Sequence, residues 1–361
     1  MNSYKILVIY PEANSTILAF YLANKATYLK TINHPKEVLD NCNGIIDQLP
    51  YRLEIIKKEL EQNEIDLKEI EIIVGRSGLL KPLKSGSYEV NDQMKRDLES
   101  QVYGKDIINL GGLIAYELAQ EAGIKAVISD PVVTDELNEL ARITGCPELK
   151  RKSIFHALSH KYIGKKYAES IQKQYADLNL IIAHVGASSV SVASHEKGRV
   201  IDVNNAFDGD GPFGVRRTGS LPVGDLVQMC FSGDYTYDEV VDMVVDNGGY
   251  KAYLGTDNLN ELNNLVNAGN EKALLISRAF AYHLSKEISS HYAVLKGKID
   301  GIILTGFIHH SPRLIDDIRE RLQGLASLSV IPSVQNYDIM ASIGLSILKR
   351  EREILQYSSE K

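Results

Sequence analysis

Cysteine is scarce: only Cys42, Cys146 and Cys230 occur in 361 residues, and no two form a CxxC pair. That usage offers no disulfide framework. It fits a reducing, cytoplasmic setting, with the thiols as inert packing residues. An excess of positive charge is also missing. The net charge is −7 and the pI near 5.8, which gives no electrostatic reason to expect nucleic-acid binding. No apolar run approaches the roughly 20 residues of a membrane-spanning helix. The N-terminal run at 6–10 is too short for a signal-peptide core and reads as a strand. Neither GxxxxGK[ST] nor GxSxG is present, which argues against a P-loop NTPase and an α/β-hydrolase. Gly111 and Gly112 stand without a GxGxxG frame, so a Rossmann dinucleotide site is not expected. Low-complexity tracts and long linkers are absent too.

What is present is the composition of an ordinary globular protein, 44% hydrophobic and 24% charged, in a chain long enough for two domains. Its most informative feature is a repetition. At the N-terminus, KILVIY, PEANS, TILAFYLA, NK and ATYLKTI alternate apolar runs with turn residues. Near 181–201 the chain does the same with LIIAHV, GASS, VSVASH, EKG and RVIDV. Runs rich in Val, Ile, Leu and Tyr, broken by Gly, Pro, Asn and Ser, read as hairpin-linked strands. Two such meanders predict a duplicated α/β protein. In that arrangement the two first turns can face one cleft and hold a nucleotide's phosphates.

Between and after the meanders, strand and helix patterns alternate, as in a sheet with helices on its faces. Positions 51–62 have helical spacing, and 69–78 run as a strand into a glycine turn. Positions 110–122 are helical, with Gly123 placed to stop them. A strand follows at 125–136. A helix is expected from 153 to 175, helices dominate 238–295, and 299–307 are strand and turn. A last apolar helix at 338–348 is expected to pack back on the first domain. The domains are placed at 1–150, completed by a C-terminal helix 336–361, and at 151–335.

In open α/β folds, sites lie beyond the carboxyl ends of the strands. Arg76 in VGRSG, Asp130 in ISDPVV, His184 in IAHVG and the segment DGDGPFGVRRTG (208–219) all sit at such ends. An arginine among glycines can clamp a carboxylate or phosphate through its planar fork, or it can be a surface charge. Asp130 before Pro131 serves a turn equally well, and His184 fits a satisfied core histidine or a catalytic one. Two acids and two arginines among glycines in 208–219 exceed what a connection needs, and the set together suggests an anion site. His156 and His160 are four apart on an expected helix, a metal-capable spacing, but without HExxH they read as structural. The adjacent His309 and His310 make a poor chelate.

At these residues the chain resembles the butyrate kinases of the acetokinase family, within the actin-like, sugar-kinase and Hsp70 superfamily. The likeness runs nearly end to end through VGRSGLLKP, GSYEVND, NLGGLIAYELA, DPVVTDEL, ARITG, RKSIFHAL, GRVIDVNNAFDGDGPF, LPVGDL, CFSGDYT, AYLGT and the ILTG turn. It implies two duplicated RNase H-like domains around a central cleft, usually as a homodimer. The implied reaction is reversible phosphoryl transfer between MgATP and a short-chain carboxylate, giving acyl phosphate and ADP. By resemblance, Arg76 binds the carboxylate and Asp130 is the catalytic acidic residue. His184 and Arg217 steady the phosphoryl group. A carboxylate is already a nucleophile at neutral pH, so catalysis reduces to positioning and charge stabilisation.

The nucleotide side departs from the family pattern. Where the first phosphate loop usually reads NPGSTSTK, this chain reads YPEANSTI. Tyr10, Glu12, Ala13 and Ile17 are replacements, and Ser15 and Thr16 are retained. A carboxylate about 4 Å from a phosphate, in an effective dielectric near 20, is repelled by roughly 4 kcal/mol per charge pair. The second loop, usually HLGGG, keeps Gly186 but has Ala187 and Ser188. The adenosine turn, usually LTGG, keeps Gly306 and continues with Phe307, expected to occupy space near the base or ribose. Near the last helix, Asp338 is the only carboxylate close to the family's Mg²⁺ glutamate, and the metal ligands are left unassigned. The implied cofactors are therefore ATP and Mg²⁺, and the partners a short-chain carboxylate, a nucleotide and a second copy of the chain. The alternative is a catalytically impaired paralogue with a binding or regulatory role, paired with an active kinase.

Overall fold

The computed structural model describes residues 4–358. They divide into two compact units, one running to Thr134 and resuming at Val334, the other spanning Asp135–Ser333. In the first unit, β1 (Lys5–Pro11), β2 (Ser15–Leu22) and β3 (Lys25–Asn33) form the expected antiparallel meander. Ile6–Ile9 are fully buried on both faces of the sheet, as a strand covered on both sides requires. Helices α1 (Lys36–Asp40) and α2 (Leu49–Gln62) lead to β4 (Ile72–Gly75), which pairs parallel with β1. Then come β5 (Ser87–Glu89), α3 (Asp92–Ser100), α4 (Asn109–Ala122) and β6 (Lys125–Ser129), with β6 parallel to β4. Gly123 ends α4 at φ 70°, a left-handed position that glycine occupies without strain.

The second unit opens with α5 (Glu139–Arg142) and α6 (Ala157–Ser170). Its meander is β7 (Asn179–Val185), β8 (Val190–Glu196) and β9 (Arg199–Val203). Five helices follow: α7 (Val223–Cys230), α8 (Tyr237–Val245), α9 (Gly249–Leu254), α10 (Leu259–Asn267) and α11 (Glu271–Val294). Next are β10 (Gly301–Gly306), parallel to β7, then α12 (Pro312–Arg321) and β11 (Leu328–Val330). The sheet order is β11-β10-β7-β8-β9. Phe280, Leu284 and Ile288 of α11 pack with Ile181, Ile302 and Leu304 to form the core on one side of this sheet.

The first unit ends at Thr134, ahead of the boundary expected near 150. Residues after it are tied to β9: Asn138 N–H donates to Ile201 O at 3.0 Å, and Arg151 donates to Asp202 Oδ1 at 2.8 Å and Val203 O at 2.9 Å. Leu137 and Ala141 pack beside Val200 and Val203. Helix α6 is shorter than expected because Phe155 is spent in that cluster and Gln172 turns left-handed at φ 56°.

From Val334 the chain returns to the first unit. Helix α13 (Asn336–Leu348) packs on β1 and β4, where a Cβ on Gly344 would lie 2.9 Å from Ile6 Cγ2 and 3.0 Å from Val74 Cγ2. The expected helix 336–361 stops at Leu348. After it, Arg350 is left-handed and β12 (Ile354–Leu355) pairs parallel with β5, completing the order β12-β5-β6-β4-β1-β2-β3. Residues 359–361 of that expectation lie outside the described ones. Of the cysteines, Cys230 is exposed instead of packed. Among the described residues no helix is long and apolar enough to cross a membrane.

Candidate active site

In the first unit, β1, β4 and β6 all point their carboxyl ends the same way, and Pro11, Arg76 and Asp130 follow those ends. The first turn, 11–15, is held from behind by Arg52, which is fully buried. Its guanidinium donates to Glu12 O at 3.1 Å, Ala13 O at 2.9 Å, Ser15 O at 2.8 Å and Thr16 Oγ1 at 2.9 Å. Burial pulls the Arg52 pKa down to about 10, so it stays charged at neutral pH. Thr16 is also fully buried, and its hydroxyl lies 2.9 Å from His34 Nε2. Ser15 Oγ donates to Glu12 Oε2 at 2.7 Å. The Glu12 carboxylate is thus bound within its own turn.

Arg76 continues the β1–β4 pairing, its N–H donating to Ile9 O at 2.9 Å. Glycines explain its setting: a Cβ on Gly111 would meet Arg76 O at 2.3 Å, so α4 can press on the end of β4 only with glycine there. Asp130 is nearly fully buried at φ 39°. Its Oδ1 accepts from Ser85 Oγ at 2.6 Å and Gly86 N–H at 3.0 Å, and its Oδ2 from Arg352 Nη2 at 2.9 Å. A buried carboxylate needs such partners.

In the second unit, His184, Gly186 and Gly306 come together at the ends of β7 and β10, and the Arg217 backbone reaches the turn after Gly186. Thr305 and Gly306 of β10 pair with His184 and Val185 of β7. A Cβ on Gly306, at φ 91°, would lie 2.1 Å from Val185 O, so only glycine fits. The N–H groups of Arg216 and Arg217 donate to Ser188 O at 3.0 and 3.3 Å, and Arg216 Nη2 donates to Ser188 Oγ at 2.8 Å. Serine in the second turn is therefore matched by an arginine side chain. The Arg217 guanidinium donates to Val245 O and lies 4.9 Å from the Phe207 ring centroid.

His156 packs beside this group: its ring centroid is 4.5 Å from that of His184. Behind it runs a chain of polar contacts. Tyr175 OH lies 2.5 Å from His195 Nδ1, and His195 Nε2 lies 3.2 Å from His160 Nδ1. His160 Nε2 is 2.8 Å from Ser191 Oγ, itself 2.7 Å from His156 Nδ1. A neutral imidazole has one donor and one acceptor, so one direction of donation satisfies the whole chain only if every histidine in it is neutral. Burial holds His184 down at about 4, and burial with neighbouring imidazoles holds His160 well below its usual value. His195 is lowered too, by burial and then by Lys161. Among the described residues no three His, Cys, Asp or Glu side chains form a metal-binding group.

Phe307, after the Gly306 turn, lines a cavity of about 90 Å³ with Val185, Tyr250, Leu262 and Phe280. Its walls are largely apolar, with Asn263 and Ser277 among the polar groups. His309 Nδ1 lies 2.6 Å from Gly306 O, and the His310 side chain lies outside the described residues.

Comparison with known proteins decides the affiliation. Residues 147–336 match the model of the Acetokinase family. A probable butyrate kinase of Clostridium botulinum is 42% identical over 355 residues, covering 98% of this chain and 100% of the relative. The chain belongs to the acetokinase family. Butyrate kinase 2 of Clostridium acetobutylicum is 41% identical, covering 98% of this chain and 99% of that one. Among acetokinase structures, Porphyromonas gingivalis acetate kinase superposes with a TM-score of 0.74 at 17% identity, over 96% of this chain and 100% of that one. A propionate kinase from Francisella tularensis gives 0.75 at 16% identity, over 94% and 98%. The two-sheet α/β architecture is accordingly the actin-like ATPase fold of these acetokinases.

Three residues in contact with the candidate site residues or their turns carry little local signal in the sequence. Arg52 sits in an ordinary amphipathic pattern, where a buried arginine gives no local signal. Arg352 lies far from Asp130 in sequence. His156 has one cue, its place in RKSIFHAL.

Proposed function

We propose that this chain is a butyrate kinase-type phosphotransferase, moving the γ-phosphoryl group of ATP to a short-chain fatty acid carboxylate. One carboxylate oxygen forms the new bond to phosphorus, the bond to the β–γ bridging oxygen breaks, and ADP leaves. The observation that carries the reading is Arg76 at the end of β4. Of its guanidinium hydrogens only those on Nη1 have an acceptor, Pro11 O at 2.7 Å, so Nε and Nη2 form an open two-donor edge among the described residues. That edge matches a carboxylate. Likeness to butyrate kinases over nearly the whole chain, at 41–42% identity, supports the same assignment.

In this reading Arg76 takes the carboxylate, and Asp130 is held ready by Ser85, Gly86 and Arg352. His184, neutral at pH 7, and Arg217 bear on the transferring group. Ser15, Gly186 and Gly306 belong to the nucleotide turns, with Thr16 supporting the first from within. Mg²⁺ bound mainly through phosphate oxygens and water needs only one or two protein carboxylates. Asp338, in the first turn of α13, fits: Tyr21 OH donates to its Oδ1 at 2.6 Å, while Oδ2 has no partner among the described residues. The ion would neutralise phosphate charge there. Assembly as a homodimer in the cytoplasm belongs to the same reading, with light scattering after size exclusion as its check on assembly.

The test is to trap acyl phosphate with hydroxylamine after incubating protein, MgATP and butyrate, with acetate and propionate in parallel. Hydroxamate formation dependent on both protein and acid supports the assignment. Its absence, together with no calorimetric binding of ATP or ADP at millimolar concentration, overturns it.

A further inference from the structure

The geometry points to Tyr10 as a positioning residue for the carboxylate site, acting by fixing the plane of the Arg76 guanidinium; this rests on the carboxylate-kinase reading. Tyr10 stands where related first loops carry asparagine, so a small polar side chain has been exchanged for an aromatic ring. In the structure that ring is not aimed into a nucleotide turn. The Arg76 Cζ lies 4.3 Å from its centroid, a stacking distance for guanidinium on an aromatic face. The far end of the ring is also tied down, since Asn336 Nδ2 donates to Tyr10 OH at 2.9 Å. Asn336 is the first residue of α13, a helix packed on β1 and β4. The ring is therefore held at both ends, by the strand that carries it and by the helix beside that strand.

The consequence for Arg76 follows from its donor inventory. A guanidinium has five N–H groups in one plane. Stacking on Tyr10 covers a face of that plane and leaves its edge open. The Nη1 bond to Pro11 O at 2.7 Å prevents rotation within the plane. What remains is the Nε–Nη2 edge, oriented and stripped of water on one side. An arginine so constrained loses less side-chain freedom when a carboxylate docks, and its charge is less screened. The substitution thus moves Tyr10 out of phosphate chemistry and into recognition of the acid.

The experiment is calorimetric titration of butyrate into the wild-type protein, Tyr10→Leu and Tyr10→Phe, with butyramide as the uncharged control and ADP as the second ligand. Tyr10→Leu removes the stack and is expected to raise the butyrate Kd about three- to tenfold, in line with a cation–π contact. Tyr10→Phe keeps the ring, loses only the Asn336 bond, and is expected to stay within about twofold of wild type. Neither change should alter the ADP Kd. In turnover the same pattern appears as a raised KM for butyrate in Tyr10→Leu with kcat and the ATP KM little changed. Circular dichroism melts confirm that both variants fold. Unaltered butyrate binding in Tyr10→Leu overturns the inference, as does an equal loss in Tyr10→Phe, since the hydroxyl would then be the important part. If wild type binds no butyrate, the carboxylate-kinase reading itself fails and this inference with it.

Discussion

Lowering the pH from 7 to 5 should destabilise the second unit far more than a typical surface titration would. An unfolded histidine takes up a proton near pH 6.5, whereas His184 in the fold is held at about 4 by burial. Because the folded pKa is depressed, the unfolded state binds more protons throughout the window from 6.5 down to 4. Stability is therefore complete above about 6.5 and is lost as the pH falls. For His184 the loss between pH 7 and 5 is about 2 kcal/mol. His160 and His195 are fully buried and also held well below the usual histidine value. Protonating either would place a charge among buried imidazoles and force the Tyr175–His195–His160–Ser191–His156 chain to reverse part of its donation. His160 and His195 act in the same direction and add to the loss. The assay is urea unfolding followed by far-UV circular dichroism at half-unit pH steps from 7 to 5, above the range in which carboxylates titrate. The midpoint should fall steadily while the m-value holds. His195→Phe, starting from a lower stability, should show a shallower pH slope by about one proton. A midpoint constant from pH 7 to 5 would refute the reasoning, because it would mean that these imidazoles accept protons in the fold as readily as in the open chain.

Other perturbations test the remaining parts. Arg352→Ala leaves the buried Asp130 carboxylate without its cation; with Ser85 and Gly86 still donating, a loss of about 2–3 kcal/mol is expected in urea unfolding, partly recovered by adding Asp130→Asn. Arg52→Met strands the carbonyls of Glu12, Ala13 and Ser15, and should cost about 3 kcal/mol while loosening the first turn, seen as faster hydrogen exchange at 12–16. Gly306→Ala puts a Cβ 2.1 Å from Val185 O at positive φ, so soluble yield or thermal midpoint should drop sharply. Arg76→Gln should weaken butyrate binding by at least about tenfold with nucleotide binding unchanged.

Strand placement was largely legible. Both meanders were marked by β-branched and aromatic runs cut by turn residues, and β1–β3 and β7–β9 fall on the segments so read. Gly123 as a helix stop and α13 packing on the first unit were legible for similar reasons, since left-handed caps and wholly apolar helices have local signatures. The candidate residues were legible only at or beside a strand end: Arg76 and Asp130 directly follow β4 and β6, and His184 and Gly306 lie in the last two residues of β7 and β10. It was illegible where partners come from elsewhere in the chain. Thr16 matches a phosphate-loop position in sequence, and only the fold shows that its hydroxyl meets Arg52 and His34.

The sequence by itself determined the duplicated strand pattern, the family affiliation and the residue types at the strand ends, because each is carried by local periodicity or by contiguous blocks. Tertiary structure alone decided what those residues can do. It brought Arg352 to Asp130, laid Tyr10 across Arg76, set His156 against His184 and turned Thr16 inward. Charge, hydrogen-bond capacity and protonation depend on neighbours within a few ångströms. Neighbours separated by tens or hundreds of residues leave no trace in a local pattern until the chain has folded.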